Sequence, residues 1–92
     1  MTGAERVFVR HEAAAWRRVE GEMILLQPEQ EKLVGLNGTG AAVWELLDGQ
    51  KSAADIARDV AARFFRDEQV VLIDVVAFLT ELEKRRLVIP VL

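Results

Sequence analysis

The chain has 92 residues, of which 51% are hydrophobic and 29% charged, and its formal net charge is −3 with a pI near 5.1. This length allows one small domain, 1–92, with a single modest core, and the composition is that of a globular protein rather than a disordered or membrane one. The negative charge disfavours nucleic acid as a partner, and the absence of cysteine excludes disulfides, thiolate catalysis and sulfur-ligated metals.

The first third of the chain predicts an antiparallel meander. Residues 1–6 show no periodic pattern, so we expect them to fray. Three short extended segments follow: 15–19, 23–26 and 32–36. The turns between them are predicted at Glu20-Gly21 and at 27–31. Gly35 weakens pairing in the third segment and also admits close approach by another backbone.

Three helices are predicted after the meander, which makes the fold α+β. Their predicted N-cap residues are Asn37, Ser52 and Asp67. Asp55 follows Ser52 by three residues, as in a capping box. Gly49 is suited to close the first helix, and the third is predicted to extend to about Arg85. The tail 87–92 is apolar and extended, and Pro90 confines it to a sheet edge or to non-strand packing.

No segment is predicted to enter a membrane. The N-terminal residues lack the continuous apolar core of a signal peptide, and no apolar run approaches the roughly 20 residues that span a bilayer. We therefore expect a cytoplasmic location and no membrane partner.

The third strand and the third helix together suggest a binding surface. A strand at a sheet edge leaves backbone donors and acceptors unpaired, and such an edge can hold an extended peptide. On the third helix, apolar residues recur at Val71, Val75, Phe78 and Leu82 and point into the core. Further apolar residues form a shoulder beside this stripe: Leu72, Ile73 and Val76. Either the sheet covers this shoulder, or the shoulder forms one wall of a peptide groove.

Four segments in sequence order carry a family resemblance: LLQPE, LNGTGAAVWELLDG, ADIARDVAARF and DVVAFLTELEKRRLV. Together they resemble the PqqD family of peptide chaperones, whose fold is also called the RiPP precursor recognition element. The resemblance covers roughly 9–88. It implies a winged-helix-like domain, with a three-stranded antiparallel sheet followed by three helices, and no catalytic residues, metal or cofactor.

The resemblance also implies a function. In such proteins the leader segment of a ribosomally made precursor peptide adds as a strand beside the third strand and packs against the third helix. The chaperone then presents it to a modifying enzyme, typically of the radical SAM class, and in the founding pathway the product is pyrroloquinoline quinone. The expected partners are therefore a precursor peptide and a radical SAM enzyme, and the chain itself is expected to be a monomer or a weak homodimer.

Carried over by position, the resemblance assigns a set of peptide-binding residues: Lys32, Leu33, Val34, Gly35 and Leu36 on the strand and Leu72, Ile73 and Val76 on the helix. Replacing Val34 with proline should damage binding if the amide of that residue faces the peptide. Arg86 departs from the family, whose members often have glycine there. Either this position needs a positive φ, so that arginine carries a strain of roughly 1 kcal/mol, or the third helix ends differently from that of the family.

The alternative class is a winged helix-turn-helix regulator that lays one helix in the DNA major groove. The charges oppose this interpretation, because the third helix would present Asp74, Glu81 and Glu83 to phosphates and its basic cluster 84–86 lies at its C-terminal end. A small enzyme is less favoured still. His11 is the only histidine and lies near the N-terminal end with no partner that the sequence identifies.

Overall fold

A computed structural model describes residues 3–27, 32–36 and 38–91. Its elements, in chain order, are β1 (Val7–Arg10), β2 (Ala15–Val19), β3 (Glu22–Leu26), β4 (Leu33–Leu36), α1 (Gly38–Leu46), α2 (Ala53–Phe64), α3 (Glu68–Lys84) and β5 (Val88–Val91). One antiparallel sheet has the strand order β2-β3-β4, and β1 pairs antiparallel with β5 in a second sheet. The predicted α+β fold, a three-stranded antiparallel sheet followed by three helices, is confirmed, and the small second sheet adds to it. None of the described helices is long and apolar enough to cross a membrane.

The β2–β3 hairpin closes through the two-residue turn that the sequence predicts. Val19 lies opposite Glu22, so only Glu20 and Gly21 connect the strands. Both have positive φ, 47° and 85°. This combination is the type I′ turn, whose twist matches that of the flanking strands.

The core lies between one face of the three-stranded sheet and the helices. Met23 and Leu25 of β3 are fully buried, and so is Trp44 of α1. The core residues that α3 contributes are Val71, Val75, Leu79 and Leu82. Phe78, which the periodicity assigns to the core, is only half-buried. The apolar stripe of α3 is therefore rotated slightly away from the predicted one, and Phe78 lies at its border.

Arg10, the last residue of β1, ties the small sheet to the C-terminal end of α1. Its guanidinium donates to the carbonyl oxygen of Trp44 from Nε at 3.1 Å and from Nη2 at 2.8 Å, and to that of Glu45 at 3.1 Å. The same group lies 5.0 Å from the ring centroid of Trp16 and 5.5 Å from that of Trp44. Burial lowers the pKa of Arg10. Arg10 thus satisfies carbonyl groups that the end of a helix leaves without partners.

Two of the three predicted helix caps are confirmed. At the start of α2, Ser52 Oγ accepts from the amide of Asp55 at 3.1 Å, and the Asp55 carboxylate accepts from the amide of Ser52 at 3.1 Å. At the start of α3, Asp67 accepts from the amides of Gln69 and Val70. The third predicted cap, Asn37, lies outside the described residues.

The N-terminal segment, where the sequence analysis expects fraying, makes hydrogen bonds to α2. The carbonyl oxygen of Ala4 accepts from the amide of Ala54 at 2.8 Å, and that of Arg6 accepts from the amide of Ala53 at 2.9 Å. These donors belong to the first turn of α2, which has no intrahelical acceptors for them. A distant helix therefore supplies hydrogen-bond partners for Ala4 and Arg6, and fraying of the N-terminal residues stays a prediction.

Helix α3 ends in a Schellman motif with arginine in the left-handed position. The φ of Arg86 is 60°, and its amide donates to the carbonyl oxygen of Glu83 at 3.0 Å. The amide of Leu87 donates to the carbonyl oxygen of Leu82 at 2.9 Å, and both leucine side chains are buried. These two bonds and the apolar contact define the motif, in which glycine is the usual residue with positive φ.

Candidate functional site

Strand β4 forms one edge of the three-stranded sheet. It pairs with β3, and no other described strand lies beside it. Three of the strand residues assigned to the site are exposed, Lys32, Leu33 and Gly35, and Leu33 keeps 71% of its surface in solvent. The predicted open edge is therefore present in the described part of the chain.

The register of the hairpin determines which amides of β4 are free. Residues facing each other across β3 and β4 include Leu25 and Val34, and the same register continues outward to Gln27 and Lys32. The amide of Gln27 donates to the carbonyl oxygen of Lys32 at 2.8 Å, so this pair is a hydrogen-bonded one. Hydrogen-bonded pairs alternate in an antiparallel ladder, so Val34 also bonds toward β3.

It follows that the amide and carbonyl groups of Leu33 and Gly35 point away from β3, to the open edge. The proposed effect of proline at Val34 on binding required that the amide of Val34 face the peptide, and this condition is not met. That amide faces β3 rather than the open edge, so a proline at Val34 would break the hairpin ladder and not a contact with a guest strand.

The two faces of β4 have different surroundings. Val34 and Leu36 point to the inner face, where Leu36 is buried and Val34 packs against the core. Leu33 and Gly35, both exposed, point to the outer face, since successive residues of a strand alternate. A guest strand beside β4 would likewise send alternate side chains to each face.

Phe78 of α3 and Leu36 of β4 both lie close to Gly40. Gly40, in the first turn of α1, marks the junction: a Cβ atom placed on it would lie 3.6 Å from the ring tip of Phe78 and 3.7 Å from the side chain of Leu36. Phe78 and the inner-facing end of β4 thus converge on the same glycine. The flank of α3 that carries Phe78 therefore faces the junction of β4 and α1.

The three helix residues assigned from the resemblance lie on the other flank. Val76 faces the N-terminal segment, since its Cγ1 would lie 2.8 Å from a Cβ on Gly3. Two residues along a helix correspond to about 200°, so Val76 and Phe78 point in nearly opposite directions. Ile73 is 69% exposed and Leu72 packs partly on the core. Leu72, Ile73 and Val76 thus lie on a different flank of α3 from Phe78, and their role in binding stays a prediction.

A cavity of about 220 Å³ opens beside Phe78, between the first turn of α1 and helices α2 and α3. Its lining is mostly apolar and carries two charged side chains: Thr39, Gly40, Val43, Val60, Arg66, Val71, Asp74, Val75 and Phe78. This volume is below that of a typical small-molecule site and suits a single side chain. The sequence analysis missed this cavity because its walls come from three helices. Within the sequence, the local sign of this cavity was Gly40, a lining residue without a side chain that follows shortly after the predicted cap Asn37.

A second, shallower depression lies on the outer face of the sheet. It encloses about 230 Å³ and is lined by Ala15, Trp16, Arg17, Ile24, Leu26 and Leu33. Leu33 belongs both to this depression and to the open edge of β4.

The described residues contain no group of histidine and carboxylate side chains that could hold a metal ion. The fold and the site define a class of protein: a winged-helix-like α+β domain whose sheet ends in an open strand beside a helix.

The chain belongs to the PqqD family, described as coenzyme PQQ synthesis protein D, which matches residues 22–88. The resemblance seen in the sequence is thereby confirmed. A comparison with curated proteins found no match.

Three solved structures share the fold. The chain is 25% identical to TbiB1, solved in complex with the TbiA(beta) leader peptide, with a TM-score of 0.78 over 87% of this chain and 93% of that one. A lasso peptide synthetase B1 complexed with its leader peptide is 22% identical, with a TM-score of 0.79 over 90% and 98% of the two chains. The PqqD truncation of Methylobacterium extorquens PqqCD, described as a stand-alone RiPP recognition element, is 22% identical, with a TM-score of 0.77 over 97% and 94%.

Proposed function

We propose that this chain is a non-catalytic peptide chaperone that binds the leader segment of a ribosomally made precursor peptide by strand addition to β4. The observation that carries the proposal is the open edge, where Leu33 and Gly35 direct their amide and carbonyl groups away from β3. Main-chain pairing at such an edge supplies affinity, while pockets for alternate side chains supply specificity.

The inward-facing residues of the guest strand meet the flank of α3 that carries Phe78. A guest residue opposite Val34 or Leu36 points to the inner face, as these two side chains do. Phe78 is half-buried and lines the cavity beside α1, so it offers apolar surface to that residue. We therefore propose that Phe78 forms the helix wall of the groove at the inner-facing end of β4, and the assignment of Leu72, Ile73 and Val76 to peptide binding stays a prediction.

The other partner is the enzyme that modifies the bound peptide, and we propose the radical SAM class that the family resemblance implies. The precursor is made in the cytoplasm, and the enzyme that modifies it acts there. We therefore propose a cytoplasmic location for the chain. We propose a monomer or weak homodimer as the working state, since the guest peptide and a second copy would compete for the same edge.

Binding to a synthetic leader peptide tests the proposal. The peptide is the N-terminal part of a short precursor encoded beside this chain, and its affinity is measured by titration calorimetry. We expect Phe78→Ala to weaken binding about tenfold, because apolar contact with the guest strand is lost. Phe78→Leu, which keeps most of the apolar volume, should weaken it less.

Ile73→Ala tests the other flank of α3, because Ile73 is exposed and lies away from Phe78 on the helix. If the Phe78 flank alone forms the helix wall, the affinity of Ile73→Ala should stay within about twofold of the parent chain, and a larger loss would assign Ile73 to the site. The assignment of Phe78 is wrong if Ile73→Ala weakens binding and Phe78→Leu does not. Thermal unfolding of each variant confirms that binding is measured on folded protein.

A further inference from the structure

Gly35 is a glycine that the backbone of β4 does not require. Its φ lies outside the left-handed region that favours glycine, so a side chain there causes no backbone strain. A Cβ placed on it meets a single atom within 4 Å, Cδ1 of Ile24, at 4.0 Å. The position is exposed, and glycine weakens a strand. Neither conformation nor packing within the described residues therefore explains glycine at this place.

Because Gly35 has no side chain, an apolar surface next to the open edge stays uncovered. Ile24 lies opposite Gly35 across the hairpin and lines the outer depression together with Leu26 and Leu33. All three side chains share the outer face with Gly35. This apolar surface thus extends from β3 across Gly35 to the edge at which a guest strand would lie.

We propose that Gly35 is a specificity-determining position that selects a bulky apolar residue, aromatic by preference, in the guest peptide. This inference rests on the proposed function. A guest residue directly opposite Gly35 has its side chain on the same outer face. Because neighbouring strands are about 4.8 Å apart, a ring on this residue crosses Gly35 and covers Ile24. Aromatic side chains are known to shield a glycine on an adjacent strand in this way.

The charges around the depression favour a peptide over a second copy of this chain. Arg17 lines the depression and Lys32 is exposed directly before β4. Neither makes an ion pair with another residue of the described segments. A two-fold contact through this face would bring these cations toward their own copies, which like charges oppose. The guest peptide is thus recognised on both faces, by Phe78 on the inner side and across Gly35 on the outer side.

The experiment begins with a randomised peptide library displayed on phage and selected on the immobilised chain. For a selected peptide, nuclear Overhauser contacts to the Gly35 α-protons identify the residue opposite Gly35. That residue is changed to serine, and both peptides are titrated against the parent chain, Gly35→Val and the control Ala62→Val. Ala62 is exposed on α2 and carries no part of the site. Valine suits a strand, so Gly35→Val should keep the fold.

We expect the selected residue to be aromatic or large and aliphatic. Its change to serine should weaken binding about tenfold for the parent chain and for Ala62→Val, because the apolar side chain of the guest residue no longer covers Ile24. For Gly35→Val the same change should cost less than about twofold, because the valine occupies the space across which the ring lies.

Each other outcome overturns a defined part of the account. Equal serine effects in the parent chain and Gly35→Val overturn the role of Gly35 and leave strand addition intact. Selected peptides that leave the amide exchange of Leu33 and Gly35 unchanged overturn the proposed function itself. Light scattering that shows a dimer of the free chain, lost in Gly35→Val, assigns the outer face to a second copy and overturns the inference.

Discussion

At the scale of single residues, two residues at helix ends, in addition to Glu20 of the hairpin turn, hold backbone conformations that usually belong to glycine. Arg86 has a φ of 60° and Phe65, at the end of α2, a φ of 55°. The left-handed region costs an L-residue roughly 1–2 kcal/mol. Phe65 is 95% exposed, so packing does not compensate for this strain. The φ of Arg86 shows that this position at the end of α3 has the left-handed conformation considered in the sequence analysis.

Replacing Arg86 with glycine should stabilise the protein by about 1 kcal/mol, because glycine adopts the positive φ without a Cβ clash. The measurement is the free energy of unfolding in guanidinium chloride. Ala77→Gly, at an exposed position in the interior of α3, should instead lower it by about 1 kcal/mol, because glycine is a poor helix former. Equal effects of the two substitutions would mean that Arg86 carries no strain.

At the scale of elements, the start of α2 is stabilised from two directions. Its capping box pairs Ser52 with Asp55, and the carbonyl groups of Ala4 and Arg6 accept from its first-turn amides. The amide of Ser52, foremost among several contributions, lowers the pKa of the Asp55 carboxyl group. The native state therefore favours the ionised carboxylate over the protonated acid.

The stability that Asp55 contributes should be pH-dependent. Because its pKa is lowered on folding, the contribution is fully present above the ordinary aspartate value of about 3.9 and is lost as the pH falls through the lowered value. The unfolding midpoints of the parent chain and Asp55→Asn should differ near neutral pH and converge in strong acid. Asp59→Asn, on the same helix but away from its N-terminus, is the control. A gap that stays constant down to strong acid would contradict this role for Asp55.

Proline should have different effects at two neighbouring positions of β4, because the amides of Leu33 and Val34 point to opposite sides of the strand. Leu33→Pro removes an amide that faces the open edge, so it should weaken leader-peptide binding at least about tenfold while the fold persists, as proline is tolerated on edge strands. Leu33→Ala controls for the lost side chain. Val34→Pro removes an amide that bonds to β3, so it should lower the unfolding midpoint. A stable Val34→Pro protein with impaired binding would show that the assigned register is wrong.

At the scale of the whole molecule, local chemistry was predictable and long-range placement was not. The turn at Glu20-Gly21 and the caps at Ser52 and Asp67 depend on neighbouring residues, and the sequence identified them. The pairing of β1 with β5 joins opposite ends of the chain, and nothing local in either segment specifies its partner. Periodicity likewise found the apolar shoulder of α3 but could not determine which flank faces the sheet. That orientation depends on how α1 and the N-terminal segment pack around the helix.

The central claim is that a peptide completes the sheet at β4, and amide hydrogen exchange of the free and peptide-bound chain tests it most directly. With a saturating leader peptide, the amides of Leu33 and Gly35 should exchange at least about tenfold more slowly, because they gain acceptors on the guest strand. The amide of Val34, already bonded toward β3, should change little. Unchanged exchange at Leu33 and Gly35 in a chain that demonstrably binds the peptide would contradict the account.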